Sequence, residues 1–175
     1  MIRRLPNGLV RRVGADGMVT EGDPAPAFTA PLADGGVSEF DLEDRLGEAP
    51  LVLAFFPGAF SGVCTGEMRS LQRRLAELHD AGAELYGVSV DSPWALNAFR
   101  EENDLTFDMV SDFDRRVTDS YGVHDDFPDI WLYGLAERAV LVVDGEGTVR
   151  YAWVTDDASR EPDYDAVVAA AESVG

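Results

Sequence analysis

The chain has 175 residues, a length that predicts a single domain with a hydrophobic core of its own. Its 33 Asp and Glu residues outnumber 14 basic residues, all of them Arg, and the net charge is −19. Nucleic acids and anionic membranes need a basic surface, so we expect partners of neither kind. No apolar run approaches the roughly 18 residues that cross a bilayer, and no signal peptide is recognised, so we expect a cytoplasmic protein.

The first part of the chain divides into an extension and a hairpin. Residues 1–22 show no sustained hydrophobic period, and we assign them to an N-terminal extension ahead of a domain at residues 23–175. Two short apolar stretches follow, from Phe28 to Leu32 and from Val37 to Phe40. The Gly pair between them predicts a β-hairpin.

A short helix and a buried strand come next. The helix is predicted to begin after Asp41, which is a suitable N-cap, and to end at Gly47. The unbroken apolar run from Leu51 to Phe56 stands between Pro50 and Pro57. Such a run predicts a strand that is buried on both faces, as in the middle of a parallel sheet.

The only cysteine of the chain, Cys64, follows this strand after a short loop. Beyond it an apolar stripe with helical spacing predicts one helix that continues to about residue 82. The stripe consists of Met68, Leu71, Leu75 and Leu78. Cys64 therefore lies in the first turn of a helix, where unpaired backbone N–H groups and the helix dipole stabilise a thiolate.

The rest of the chain alternates between strands and helices. Strands are predicted at residues 84–90, 107–110, 138–143 and 148–154, and helices from Pro93 onward, at residues 114–121 and at residues 163–174. This order predicts an α/β fold, a three-layer α/β/α sandwich.

One aromatic segment, residues 124–134, fits neither the helical nor the strand period. It contains Phe127, Ile130, Trp131, Leu132 and Tyr133. A partly exposed segment of this kind is a candidate lid or subunit contact, and a loop folded onto the core is the alternative.

The residues around the cysteine resemble a known family. Pro57, Ser61 and Cys64 form the pattern Pro-x-x-x-Ser-x-x-Cys, which resembles the Pro-x-x-x-Thr/Ser-x-x-Cys motif of the peroxiredoxins. The strand end at residues 87–92 and a late Arg138 ahead of an apolar strand also follow the family's order, so that the resemblance covers roughly residues 22–155. It implies a thioredoxin-like fold of the alkyl hydroperoxide reductase and thiol-specific antioxidant type. The implied activity is thiol-dependent reduction of hydrogen peroxide and organic hydroperoxides.

The resemblance also implies roles for individual residues. Cys64 attacks the peroxide, and Ser61 accepts a hydrogen bond that orients it. Arg138, a permanent cation with forked donors, contacts the polarised oxygen and the thiolate. Pro57 shields the sulfur from water, and the N–H group of Val63 adds a donor beside that of Cys64.

Several of these residues have a plainer alternative. Glu67 resembles a family carboxylate that positions the arginine, but a glutamate here is also favoured by the helix dipole. Arg138 is equally typical of a surface ion pair at a strand edge. A lone buried cysteine such as Cys64 is commonly a small hydrophobe without chemistry. Ser61 stands where the family more often has Thr, so it keeps the hydroxyl and lacks the methyl group that restricts its rotamers.

The sequence also sets expectations about cofactors and partners. His79 and His124 have no Cys or His neighbours at ligand spacing, so we expect no metal and no other cofactor. With one cysteine no intrachain disulfide can form, so an external thiol or a redoxin must recycle the enzyme. A homodimer or higher homo-oligomer is expected. The alternatives are a peroxide sensor or chaperone-like oligomer, and a thioredoxin-fold binding module without turnover.

The acidic composition without any Lys indicates a halophilic protein, and this interpretation predicts that salt stabilises the fold. Raising KCl from 0.1 M to 1 M shortens the Debye length from about 10 Å to about 3 Å and weakens the repulsion among carboxylates. The midpoint of thermal unfolding should therefore rise over this range, with NaCl acting like KCl at equal ionic strength. A midpoint that stays flat or falls would contradict the halophilic interpretation.

Overall fold

The computed structural model describes residues 17–175 in full and, before them, the backbone of two short strands, β1 (Ile2–Arg4) and β2 (Val10–Arg12), which pair antiparallel. Of the predicted extension at residues 1–22, residues 1, 5–9 and 13–16 lie outside the described residues. Its last part packs against the domain. Val19 is buried, and its N–H group donates to the Tyr121 carbonyl at 2.9 Å.

The central layer is a seven-stranded mixed sheet. The strands after the extension are β3 (Thr29–Ala33), β4 (Val37–Asp41), β5 (Leu51–Phe55), β6 (Glu84–Ser89), β7 (Asp108–Ser111), β8 (His124–Phe127), β9 (Leu132–Ala136), β10 (Arg138–Val143) and β11 (Val149–Thr155). In the sheet they are ordered β11-β10-β5-β6-β7-β3-β4, and β8 pairs with β9 as a separate hairpin. Strands β5, β6 and β7 run parallel to one another, and the other neighbours are antiparallel.

Helices cover both faces of the sheet. They are α1 (Leu42–Arg45), α2 (Gly62–Arg73), α3 (Leu75–Asp80), α4 (Pro93–Glu102), α5 (Arg116–Tyr121) and α6 (Tyr164–Val174), with 3₁₀ turns at Leu46–Glu48 and Pro128–Ile130. Helices α2, α3, α4 and α6 pack on one face, and α1 and α5 pack on the other. The predicted three-layer sandwich is thereby confirmed. Within residues 17–175, no helix has the length and apolar character needed to span a bilayer.

Strand β5 lies inside the sheet and is buried on both faces, as its unbroken apolar run predicted, with a parallel neighbour (β6) on one side and an antiparallel one (β10) on the other. Every residue from Leu51 to Phe56 is fully buried. Alternate side chains enter the two hydrophobic clusters on opposite faces, with Val52, Ala54 and Phe56 in one and Leu51, Leu53 and Phe55 in the other. Full burial of each large side chain stabilises the fold by about 1.5–3 kcal/mol.

The helix that carries the cysteine is shorter than predicted. Instead of one helix to about residue 82, α2 ends at Arg73 and α3 begins at Leu75. Arg74, between them, adopts φ −97° and ψ 0°, and its N–H group donates to Leu71 O, three residues back. The apolar stripe continues across this break, so the hydrophobic period carried no sign of it.

Two other local predictions were wrong. Gly47 does not end helix α1, which stops at Arg45, because Gly47 lies inside the following 3₁₀ turn. Residues 124–134 are not without strands but belong to the β8–β9 hairpin. A shift of register between Asp125 and Phe127 interrupts the two-residue period, which explains why the pattern was not visible. The predicted exposure of this segment is confirmed, since Trp131 is 81% exposed.

The predicted N-cap at Asp41 is confirmed, and two further helix ends are capped as well. The Asp41 carboxylate accepts hydrogen bonds from the N–H groups of Glu43 and Asp44, and Ser92 Oγ accepts one from Ala95 N–H. Gly122 closes α5 in the left-handed conformation, with φ +69°. These caps satisfy backbone groups that a helix end leaves unpaired.

Gly122 and Gly82 offer a matched test of close packing, because both follow a helix end at positive φ (+69° and +77°). An added Cβ at Gly122 would meet the Gly17 carbonyl and lie 2.7 Å from Met18 Cα, whereas Gly82 has open space. Gly82→Ala should cost about 1–2 kcal/mol of unfolding free energy for the left-handed backbone alone. Gly122→Ala should cost about 1–3 kcal/mol more, because the backbone at residues 17–18 must move. Urea unfolding of both variants measures the difference, and equal losses would contradict this packing.

Candidate active site

The candidate nucleophile lies where helix α2 follows strand β5. Cys64 is the third residue of α2 and is buried, with 1% of its surface exposed. The first hydrogen bond inside the helix runs from Thr65 N–H to Ser61 O at 2.9 Å, so the N–H groups of Gly62, Val63 and Cys64 have no acceptor within the helix. The cysteine thus stands at the positive end of the helix, at the carboxyl edge of the parallel strands, where α/β proteins bind ligands.

A buried ion pair adjoins the sulfur. Arg138, the first residue of β10, donates from Nη1 to Glu67 Oε2 and from Nη2 to Cys64 Sγ at 3.4 Å. Arg138 and Glu67 are both fully buried, and β10 lies between β11 and β5 rather than at the edge of the sheet. Neither plain alternative holds, because Arg138 is not in a surface pair and Glu67 lies beyond the first turn of α2.

The Arg138 guanidinium has more hydrogen-bond partners than the Glu67 carboxylate. Arg138 Nη2 also donates to Ala158 O at 2.9 Å, so the guanidinium reaches three acceptors. Among residues 17–175, Glu67 Oε1 and Arg138 Nε have no hydrogen-bond partner. Burial raises the pKa of Glu67 to about 7, although the charge of Arg138 opposes the rise. Burial disfavours the charge of Arg138, but Glu67 and Cys64 outweigh it and raise the arginine's pKa.

The loop between β5 and α2 is held by an aspartate from the next strand. Asp91, just beyond β6, accepts hydrogen bonds at Oδ2 from Ala59 N–H at 2.8 Å and from Ser89 Oγ at 2.7 Å. Ser61 Oγ donates to Gly58 O at 3.0 Å, and makes no capping bond to α2. The loop that precedes the cysteine is therefore held both by Asp91 and by a hydrogen bond within the loop itself.

A cavity of about 570 Å³ opens beside Cys64 and Arg138. Most of the side chains that line it are apolar, and four of them come from the β8–β9 hairpin. The lining residues of the hairpin are Phe127, Ile130, Leu132 and Leu135. The sulfur therefore lies beside an open cavity bounded by an arginine, a helix start and mostly apolar side chains.

The structure brings the sequence-predicted residues together. Cys64, Arg138 and Glu67 are in direct contact, and Pro57, Ser61 and Val63 line the same cavity. In the part of the chain that is fully described, no group of three or more His, Cys, Asp or Glu side chains could hold a metal ion.

Sequence reasoning missed three contributors to this site. The Ala158 carbonyl left no signal, because any residue supplies the same acceptor. Asp91 was not singled out, although its place at the carboxyl end of a parallel strand could have pointed to the site. The hairpin wall was recognised as an exposed aromatic segment, without its place beside Cys64.

The chain is similar to proteins of known family. A model of the AhpC/TSA family matches residues 21–152. Peroxiredoxin-2 of Pongo abelii is 34% identical over 150 residues, covering 81% of this chain and 81% of that protein. Peroxiredoxin Bcp of Escherichia coli (strain K12) is 32% identical over 148 residues, covering 84% of this chain and 92% of that protein. The crystal structure of Enterococcus faecalis AhpC superposes with a TM-score of 0.78 at 25% identity, covering 87% of this chain and 90% of that one.

The raised pKa of Glu67 predicts a pH-dependent stability that Glu67→Gln should lose. The folded pKa of about 7 lies above the ordinary value of 4.5, so the folded wild type binds a proton that the unfolded chain releases. The stability of the wild type relative to Glu67→Gln should be greatest below about pH 4.5. It should fall by up to about 3 kcal/mol as the pH rises to about 7. Urea unfolding of both proteins across this range measures it, and a constant difference would contradict the raised pKa.

Proposed function

The chain belongs to the AhpC/TSA family of peroxiredoxins, and on this basis we propose how its own residues carry out the thiol-dependent reduction of peroxides. The observation that carries the proposal is the hydrogen bond from Arg138 Nη2 to Cys64 Sγ, 3.4 Å long, beside the cavity. The permanent cation is thereby placed where charge moves during attack by a cysteine thiolate, the reactive form.

Cys64 is the nucleophile in this proposal. Its thiolate attacks one peroxide oxygen, a sulfur–oxygen bond forms and the oxygen–oxygen bond breaks. The departing oxygen leaves as hydroxide or alkoxide and takes up a proton, and Cys64 becomes a sulfenic acid. Arg138 stabilises the charge that moves from sulfur to the departing oxygen, and Glu67 holds the guanidinium in place.

The remaining lining residues orient the substrate. Ser61 already donates to Gly58 O, so its oxygen lone pairs are the part that can accept a hydrogen bond from the peroxide. The N–H groups of Val63 and Cys64 are donors at the helix start, and the buried ring of Pro57 keeps water from the sulfur. Positioning of this kind lowers the entropic part of the barrier.

Recycling depends on a thiol from outside the chain. The sulfenic acid condenses with a first thiol, releasing water and forming a mixed disulfide at Cys64. A second thiol attacks that disulfide and returns the Cys64 thiol, so two thiols are oxidised for each peroxide reduced. The reductant is a small thiol or a redoxin, in keeping with a cytoplasmic location where thiols are kept reduced.

Two features of the surface support proposals about the protein's salt environment and its oligomeric state. The charge of −19 without Lys supports a protein adapted to high salt. Trp94 and Phe113 expose 73% and 64% of their surface and support contact with a second copy in a homodimer or larger assembly. We keep the division into an extension at residues 1–22 and a catalytic domain at residues 23–175 as part of the proposal.

The proposal predicts a defined series of products at Cys64. With graded peroxide and no thiol, the peptide that contains Cys64 should gain one, two and then three oxygens, because no second cysteine can intercept the sulfenic acid. With thiol present, a mixed-disulfide adduct should replace the higher oxides, and peroxide should be consumed over many turnovers. Intact mass spectrometry with peptide mapping measures the products, and Cys64→Ser is the matched control that should show neither.

The same experiment separates the proposal from its alternatives. A sensor would be oxidised once without steady consumption of peroxide, and a binding module would not be oxidised at Cys64. Oxygen confined to Met18, Met68 and Met109 would mean that Cys64 is structural.

A further inference from the structure

The cavity beside Cys64 is much larger than hydrogen peroxide requires. Its volume of about 570 Å³ falls among cavities that hold small organic ligands, about 300–1,000 Å³. One water occupies about 30 Å³ of the liquid, and hydrogen peroxide has only one further oxygen. Most of the cavity therefore lies beyond the reacting oxygens, where the substituent of an organic hydroperoxide would extend.

Most of the residues that line this space are apolar. The hairpin supplies Phe127, Ile130, Leu132 and Leu135, and segments of the domain supply Pro57, Ala59, Val63 and Val90. Ile130 and Leu132 are 58% and 45% exposed in the described structure, so both have apolar surface that a substituent would cover. Covering it is favourable in proportion to the area removed from water.

The charges near the cavity disfavour an anionic substituent. Arg138 is the only cation among the lining residues, and it is already hydrogen-bonded to Glu67, to the Cys64 sulfur and to the Ala158 carbonyl. The lining also includes the Asp91 carboxylate. The segments that supply lining residues carry five further carboxylates, Asp125, Asp126, Asp129, Asp156 and Asp157, against one arginine, Arg160.

We propose that this site selects neutral organic hydroperoxides, whose apolar substituent packs against Ile130 and Leu132, and discriminates against hydroperoxides that carry a carboxylate. The inference rests on the proposed function and adds a determinant of specificity to it. The chemical step is the one given above, with the neutral alcohol as the product that leaves. Hydrogen peroxide remains a substrate, but it has no substituent that could pack against Ile130 and Leu132.

The charge selectivity is tested on the wild type with two matched probes, cumene hydroperoxide and its para-carboxylate. Each is mixed with the reduced protein in a single turnover, and the remaining Cys64 thiol is alkylated and counted by intact mass. At low salt the neutral probe should react at least about tenfold faster, and the gap should narrow toward 1 M KCl as the carboxylates are screened. Equal rates at low salt, or a faster reaction of the carboxylate, would overturn the proposal.

The hairpin wall is tested with Ile130→Ser/Leu132→Ser. Each buried methylene is worth roughly a fourfold factor in affinity, so the rate with cumene hydroperoxide relative to that with hydrogen peroxide should fall about tenfold. The control is Trp131→Ser/Tyr133→Ser, a pair on the same hairpin that is exposed and does not line the cavity, and its ratio should match the wild type.

An unchanged ratio in the first pair, or an equal fall in both, would overturn the role of the wall. The probe comparison needs no variant and remains decisive if the hairpin variants fail to fold. Oxidation of Cys64 by hydrogen peroxide without either selectivity would sink this inference and leave the proposed function intact. No oxidation by any peroxide would overturn both.

Discussion

The ion pair between Arg138 and Glu67 is the constraint on which the site depends. Burying two charges costs several kcal/mol per ion, and the pair recovers this only if its geometry is kept and its other polar atoms find partners. Three separate parts of the chain meet this condition only in part, because Glu67 Oε1 and Arg138 Nε have no hydrogen-bond partner within residues 17–175. Strand β10 brings the guanidinium into the sheet interior, helix α2 brings the carboxylate, and the stretch after β11 brings the Ala158 carbonyl. Cys64 is added to a pair that the fold already holds.

Other arginines in the protein form pairs of a different kind. Arg74 contacts Asp165, and Arg150 contacts Asp144, with at least one exposed or half-exposed partner in each case. Exposed pairs contribute about 0–1 kcal/mol and are weakened by salt. On a surface with so large an excess of carboxylates, such contacts reduce the repulsion between neighbouring carboxylates. The buried pair is shielded from the same solvent, so its geometry is largely independent of ionic strength.

The sequence allowed the fold and the centre of the site to be predicted, and particular residues show which features it did not reveal. Cys64 and Glu67, three residues apart, had to share one face of a helix, so their proximity followed from spacing. Strand β5 followed from its composition, and Arg138 from family resemblance. The Ala158 contact involves a backbone oxygen, which has no residue signature. The break at Arg74 is a change of backbone geometry that leaves the hydrophobic period intact, so the period could not reveal it. The bulge in β8 interrupts the two-residue period and so hid the strand.

The β8–β9 hairpin forms one wall of the cavity, yet its strands pair only with each other within the described structure, outside the seven-stranded sheet. A hydrogen bond from Arg115 Nε to Gly134 O joins the hairpin to the start of α5, and the one from Glu137 N–H to Val123 O joins the two ends of the hairpin itself. The turn at Pro128–Ile130 contributes no residue to the central sheet or to the buried pair. The architecture separates the parts that make the sulfur reactive from the part that meets the substrate. Diversification can therefore proceed in the second without a penalty in the first.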